Sequence, residues 1–494
     1  MEDGETMENK RKLGLAEKIS YGLGAVGKDM VYMLSASYIL YYYQDIMGVS
    51  AIAMGIILLA ARVFDAFNDP IMGIVVSKTK TKWGKFRPWL LIGTITNAVI
   101  LYLMFACPPV LNGRGLVAYA AVTYILWGVT YTMMDIPYWS MIPAFTEGGK
   151  EREGLSALAR SCAGVGSAIV SILAVPFVAM LGSKFGGNIT AQYEQAVADF
   201  GNTSAQAVQL KGQLDAVGFK MVALVIAALF VVFTVICCIN IKEKSTVDVK
   251  TSSVGDMFKA LFRNDQAVTM VIAIVMINTA LYITSNLVIY FFKYDFSPAQ
   301  WETNYTLFNT FGGGFQILAM MILFPIFRAF INTVKIFYTC FFMAFIGYII
   351  LLFIAFSGTS NFWVLVPSAF LIMSAIGMLN VVVTVFLANT VDYGELKNGH
   401  REEAVIFSMQ TFVVKLSSGL SALIASIILA VFHISKDSFS GTILSQSSRM
   451  GLRMCMTLIP MAVLIIGLIV FKRHYILTDE KVSEISEQLK SKAD

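Results

Sequence analysis

Apolar stretches of about twenty residues or more follow one another from end to end of this 494-residue chain, interrupted by short polar segments. A helix rises about 1.5 Å per residue, so each stretch is long enough to cross the hydrocarbon core of a bilayer. In lipid every backbone N–H and C=O must find its partner within the segment, which leaves the helix as the natural form of such a run. The pattern predicts an all-α membrane protein with twelve spans, at about 18–44, 51–77, 87–107, 115–145, 154–183, 218–240, 265–295, 301–329, 333–356, 362–391, 403–432 and 447–472. Charged residues make up only 14% of the chain, against roughly 25% in an ordinary soluble protein. A soluble multidomain enzyme and a disordered chain are excluded on that ground. Nucleic-acid binding fails too, because the net charge is only +5 and the basic residues lie in short loops.

Those loops set an expected orientation. Most of the 37 Lys and Arg residues fall on the N-terminal side, in Lys10-Arg11-Lys12, in KTKTKWGKFR between the second and third spans, and in the central IKEKSTVDVK segment. The positive-inside rule then expects both termini in the cytoplasm. The polar start, MEDGETMENKRKLG, is not a signal peptide, so the first apolar run is read as a retained span. The six cysteines lack metal-finger or redox spacing and read as small core residues.

The segment at 241–250 divides six spans from six. The expected organisation is an N-terminal six-helix bundle over 1–240, with a polar outer insert at about 184–217. A central cytoplasmic linker over 241–264, a second six-helix bundle over 265–472 and a cytoplasmic tail over 473–494 follow. Internal echoes support two related halves: Arg152 and Glu153 precede the fifth span as Arg401 and Glu402 precede the eleventh, and those two spans each carry one cation, Arg160 and Lys415. A six-plus-six layout places a substrate site between the bundles near the midplane.

A charge inside a span is costly and normally faces a cavity or a partner, so it marks function by default. The charged residues within the predicted spans that stand as functional candidates are Lys28, Asp29, Arg62, Asp65, Asp69, Asp135, Arg160 and Lys415. Structural ion pairs alone would not require all but Lys415 to fall in the first half. On the second span Asp65, Asn68 and Asp69 stack on one helix face. Two carboxylates this close in low dielectric need a shared proton, a cation between them or a neutralising partner, and Arg62 alone leaves one negative charge over. Carboxylate and amide oxygens suit a hard ion such as Na⁺ at Asp65 and Asp69. Pro70 has no N–H, which leaves the carbonyl of Ala66 as a further oxygen.

On the fourth span Tyr131, Asp135 and Trp139 share one stripe at spacing four. A carboxylate beside aromatic rings suits a polyol: its oxygens accept from hydroxyls while a ring covers the C–H face of a sugar. Trp139 alone could equally be an interfacial anchor. Thr132 points to a neighbouring flank and can add a hydroxyl to the ion site. Asp29 can accept from a sugar hydroxyl, Arg160 can donate to one, and Lys415 can pair across the cavity from the other half. Asp392, Glu395 and Arg401, at the end of the tenth span and its loop, read as a gate between halves. The chain has no buried histidine relay and neither the HExxH nor the P-loop spacing, so hydrolase and ATPase readings have no support.

The strings SYGLGAVGKD (20–29), ARVFDAFNDPIMG (61–73), KWGKFRPW (82–89), TYILWGVTYTMMDIPYWSMIP (123–143), NTVDYGELK (389–397) and QTFVVK (410–415) carry a resemblance that spans nearly the whole chain. It resembles the glycoside–pentoside–hexuronide:cation symporters of the major facilitator superfamily, the melibiose-carrier type above all. The resemblance implies the major facilitator fold and cation-coupled sugar uptake by alternating access in the bacterial cytoplasmic membrane, without enzymatic activity. The implied coupling ion is Na⁺, with Li⁺ or H⁺ as alternatives, and no cofactor or obligate protein partner. Asp65, Asn68, Asp69 and Thr132 match cation-site positions; Lys28, Asp29, Tyr131, Asp135, Trp139 and Arg160 match positions at or beside the sugar. Lys415 and Thr411 match positions in the second half lining the same cavity, and Arg152 matches a loop arginine linked to conformational change. The chain departs from the melibiose-carrier pattern at Asn380, at Asn389 and in the outer insert. An H⁺-coupled glucuronide or pentoside symporter is the runner-up, and a non-transporting membrane sensor or structural subunit is the reading from a different class.

Overall fold

The computed structural model describes residues 13–142, 149–202, 204–241, 243, 259, 261–399, 403–434 and 444–493, apart from some side chains within the helices. Helices α1 (Leu15–Tyr41), α2 (Ala51–Lys78), α3 (Arg87–Phe105), α4 (Gly113–Ser140), α5 (Gly149–Phe185), α6 (Asn188–Phe200) and α7 (Ala205–Asn240) make the first half. The second contains α8 (Asp265–Phe291), α9 (Trp301–Leu318), α10 (Phe324–Phe330), α11 (Thr333–Ser357), α12 (Val366–Asn398), α13 (Glu403–Val431), α14 (Gln446–His474) and the tail helix α15 (Asp479–Ala493). Among the described residues 11 helical segments are long and apolar enough to cross a membrane. The twelfth is α1, 27 residues long and interrupted by the charges of Lys28 and Asp29. The expected span between 301 and 329 is one continuous helical run, Pro298–Phe330, in which α9 passes into α10 through a π-turn at Ala319–Leu323.

The two halves repeat one packing scheme. In the first, α1 packs on α5 and α7, α3 on α4 and α7, and α2 on α4; in the second, α8 packs on α13 and α14, α11 on α12 and α14, and α9 on α12. The contacts between halves, α2 with α13 and α5 with α9, exchange under the same correspondence. Small residues let the backbones approach, as van der Waals packing in lipid favours. A Cβ on Gly166 of α5 would run into the carbonyl of Val26 on α1.

The expected outer insert is helical. Ala207, Leu210 and Leu214 of α7 continue the buried stripe of the sixth span toward its start, so that helix is 36 residues long and begins well before the expected 218. Helix α6 covers the added turns, Ala196 packing with Ala207 and Leu210. At the N-terminal side of the bundle the carboxylate of Glu243 accepts from the backbone N–H groups of Lys85 (2.6 Å), Phe86 (3.0 Å) and Arg87 (2.9 Å). That caps the positive end of α3 and ties the basic loop to the start of the linker. Helix α15 returns against α12, and Asp479 pairs with Arg328 at 2.7 Å.

Candidate functional site

Helix α2 places Asp65 and Asp69 one turn apart, and each carboxylate is tied to a different cation. Arg62 Nη1 lies 3.2 Å from Asp65 Oδ2, with both side chains buried. Its guanidinium stands over the rings of Tyr32, Tyr124 and Trp127, at 5.8, 5.8 and 5.9 Å. Weakly hydrated and planar, a guanidinium suits such an aromatic enclosure. Asp65 presses on the backbone of α4, where a Cβ on Gly128 would come 2.7 Å from its Oδ1.

Asp69 joins three helices. Its Oδ1 accepts from the Thr132 hydroxyl of α4 at 2.9 Å, and its Oδ2 accepts from Lys415 Nζ of α13 at 2.5 Å. Lys415 therefore crosses from the second half to the carboxylates of α2, and the charge that Arg62 leaves over is balanced by it. Gly419 of α13 permits this approach: a Cβ there would be 2.9 Å from Arg62 Cγ. Beside these pairs, the Nδ2 of Asn68 is buried without a hydrogen-bond partner among the described residues. The two ends of an amide exchange by a half-turn of the side chain, so Asn68 can present oxygen in the same place.

A second cluster lies between α1 and α4. Lys28 Nζ is 2.8 Å from Asp135 Oδ1, 3.2 Å from Asp29 Oδ2 and 3.2 Å from the Tyr131 hydroxyl. The ammonium is 5.1 Å from the centre of the Trp139 ring, and the indole N–H donates to Asp135 Oδ1 at 3.1 Å. Arg160 of α5 covers the same ring at 4.8 Å. The Lys28 side chain is only 5% exposed, whereas those of Asp29 and Asp135 are 19% and 20% exposed. The cation is thus buried beneath two carboxylates that keep accepting capacity toward open space. Oxygen acceptors, an indole ring and a guanidinium are the groups that grip a polyhydroxylated ring.

The clusters are physically continuous. Trp127, over which Arg62 stands, stacks on Tyr131 with centroids 5.2 Å apart, and Tyr131 meets Lys28. Helix α4 carries both Thr132 and Asp135, so a shift of α4 moves both clusters together. The register of α4 against α1 is locked by a pair absent from the sequence reading: Tyr21 donates to the carbonyl of Tyr138 at 2.6 Å and Tyr138 to that of Tyr21 at 2.7 Å, with the rings stacked 4.4 Å apart. Two tyrosines in apolar runs gave no signal for it.

Asp392 and Glu395 lie in the last turns of α12, with Lys397 nearby bound to Asp265 at 2.5 Å. Arg401 lies outside the described residues, as do the side chains of Arg152 and Thr411.

Comparisons with known proteins bear on the whole chain. The family described as MFS/sugar transport protein matches residues 20–479. The uncharacterized symporter YjmB of Bacillus subtilis (strain 168) is 27% identical over 496 residues, covering 99% of this chain and 98% of its own length. The isoprimeverose transporter of Lactiplantibacillus pentosus is 30% identical over 431 residues, 85% of this chain and 81% of its own. Among solved structures, a bacterial homologue of the human lysosomal transporter Spinster aligns with a TM-score of 0.63 over 92% of this chain and 95% of that one, at 12% identity.

Proposed function

Because the chain belongs to the MFS/sugar transport protein family, and is thus a multi-pass membrane sugar transporter and not an enzyme, we propose that it is a Na⁺-coupled symporter of a glycoside or oligosaccharide. The observation that carries this reading is the sharing of Asp69: one oxygen bonds Thr132, on the helix that holds the sugar cluster, and the other bonds Lys415, across the two halves. A cation arriving among Asp65, Asn68, Asp69 and Thr132 competes with Lys415 for the carboxylate. It draws α2 and α4 together, steadies Asp135 and Trp139 for the sugar, and loosens the tie between halves.

The sugar is held by Asp29, Asp135, Trp139 and Arg160, with Lys28 fixing the two carboxylates from below. A relative named for isoprimeverose makes a saccharide with a glycosidic bond the natural cargo. Coupling must be reciprocal, so bound sugar tightens ion binding by the factor by which the ion tightens sugar binding. The loop cations support an orientation with both termini in the cytoplasm.

A second reading, H⁺ coupling with a glucuronide or pentoside as cargo, draws on the same ion pair, since protonating Asp69 would also release Lys415. The test is equilibrium binding of a labelled glycoside, found by counterflow in proteoliposomes, with Na⁺, Li⁺ or a pH gradient imposed in turn. Na⁺ should raise sugar affinity at fixed pH, and Asp69→Asn should abolish that stimulation. Stimulation that survives in Asp69→Asn sinks the ion assignment, and stimulation by a pH gradient alone selects the proton reading.

A further inference from the structure

The first helix of each half ends in the same way. Helices α1 and α8 are each 27 residues long, and each runs into a five-residue π-turn, Tyr42–Ile46 and Phe292–Phe296. Both turns carry aspartate at the fourth position, Asp45 and Asp295. Single π-turns of this kind frequently accompany functional positions. The two turns stand at the end of the bundle opposite the chain's N-terminus, and their aspartates are bound in opposite ways.

Asp295 is held within its own half. Its buried carboxylate accepts from Arg449 Nε at 2.7 Å and from Arg453 Nε and Nη2, each at 2.6 Å, both arginines lying on α14. Two-point guanidinium contacts of this kind fix geometry as well as charge. Asp45 reaches into the other half. Its carboxylate accepts from Lys293 Nζ at 2.5 Å and from the Tyr294 hydroxyl, both in the second π-turn. Lys293 also donates to the Tyr41 hydroxyl at 2.7 Å, and its ammonium faces the rings of Tyr41 and Trp301. Next to Asp45, Gln44 donates to the carbonyl of Ile434 at 2.8 Å and accepts from the Tyr290 hydroxyl at 2.9 Å. Lys211 of α7 adds a pair with Glu302 of the second half at 3.0 Å.

We propose that Asp45 and Lys293 form the latch of the gate at this far end, and that Asp295 with Arg449 and Arg453 is the fixed anchor that holds the lysine's turn in place. The proposal rests on the transport reading, in which the halves separate at one end and then the other. When the far end opens, the bonds of Asp45, Gln44 and Lys293 between the halves break together, while every bond of Asp295 named above stays within one half. Residue chemistry matches the division. The anchor uses arginine forks, whereas the latch uses lysine, a compact, strongly hydrated charge that returns readily to water. The Lys293 side chain is already 22% exposed, so release does not strand a dry ammonium.

The test reads the gate without requiring transport. Spin labels at Val110→Cys and Asn361→Cys, exposed far-end positions in the first and second halves, report the opening by pulsed dipolar distances in the full chain with Cys107, Cys162 and Cys455 replaced by serine. Lys293→Met and Asp45→Asn are each expected to raise the ratio of far-open to far-closed molecules about tenfold. The exchanged pair, Asp45→Lys with Lys293→Asp, is expected to restore the parent distribution. Unchanged distances in both single variants overturn the latch, as does an exchanged pair that melts like the parent yet stays as open as the single variants. Labelled-glycoside binding to the parent, measured alongside, separates failure of the latch from failure of the transport reading.

Discussion

The same helix pair is built twice in this molecule, and the two copies meet differently. In the first half α4 receives α2 at Gly128, where the nearest group is the carboxylate of Asp65; in the second half α12 receives α9 at Gly377, where it is the backbone carbonyl of Gln316. Packing demands a glycine at both crossings. Only the first copy uses the gap to seat a charge. The same contrast holds in the two central clusters: among the described residues Lys28, Asp29, Arg62, Asp65, Asp69, Asp135 and Arg160 belong to the first half, and Lys415 is lent by the second. The fold is set by a packing scheme that both halves share, whereas the two central clusters of charge are drawn mostly from one of them. The other half supplies the cation that ties the two together at Asp69.

The strongest way to break this contrast is Asp135→Ala. It removes the shorter of Lys28's two carboxylate contacts and the acceptor of the Trp139 N–H. Breaking a buried pair by deleting one partner costs about 3–5 kcal/mol, and here the open carboxylate edge is lost as well. Sugar affinity is expected to fall about a thousandfold, with Na⁺ binding to Asp65 and Asp69 still measurable by calorimetry. Normal uptake by this variant would remove Asp135 from the sugar site.

Next in size is a matched pair at the two crossings. In Gly377→Ala the new methyl meets backbone, which cannot swing aside, so overpacking should cost about 1–3 kcal/mol and appear as a lowered melting temperature. In Gly128→Ala the methyl meets the end of a side chain, so Asp65 turns away and the loss appears in function. Na⁺ affinity should drop about tenfold or more while the melting temperature moves less than in Gly377→Ala. Equal effects of the two variants on ion affinity would erase the distinction between the halves.

The spans, the six-plus-six division and the charged stripe on α2 were legible because each rests on local pattern: apolar length, a polar break, and residues three or four apart on one helix. The pairing of Lys415 with Asp69 was legible only as a possibility of charge. Which carboxylate the lysine reaches depends on how α13 crosses α2, and no local spacing encodes that crossing. The latch was illegible for a sharper reason. Lys293 lies at the end of a span, where a cation reads as one more loop charge setting orientation, and Asp45 lies just past another. The π-turns that aim them at each other leave no mark on an apolar profile. The extended α7 was missed because its added turns carry exposed Gln206, Gln209 and Gln213 and the ion-paired Lys211, which hide a regular buried stripe from an average over a window.

The smallest expected effect tests how finely the first half is built. Trp139 does two things that can be separated: its ring lies against Lys28 and Arg160, and its N–H orients Asp135. Trp139→Phe keeps an aromatic face and deletes the hydrogen bond. A bond to a partly exposed carboxylate is worth about 1 kcal/mol, so sugar affinity should weaken about fivefold. Its dependence on Na⁺ should keep the parent shape, because Thr132 and Asp69 are untouched. Trp139→Ala, which removes the ring too, should weaken binding further by at least the same factor. If phenylalanine and alanine are equally poor, the N–H is the whole contribution of this residue and the ring is no platform; if phenylalanine matches tryptophan, Asp135 is held by Lys28 alone.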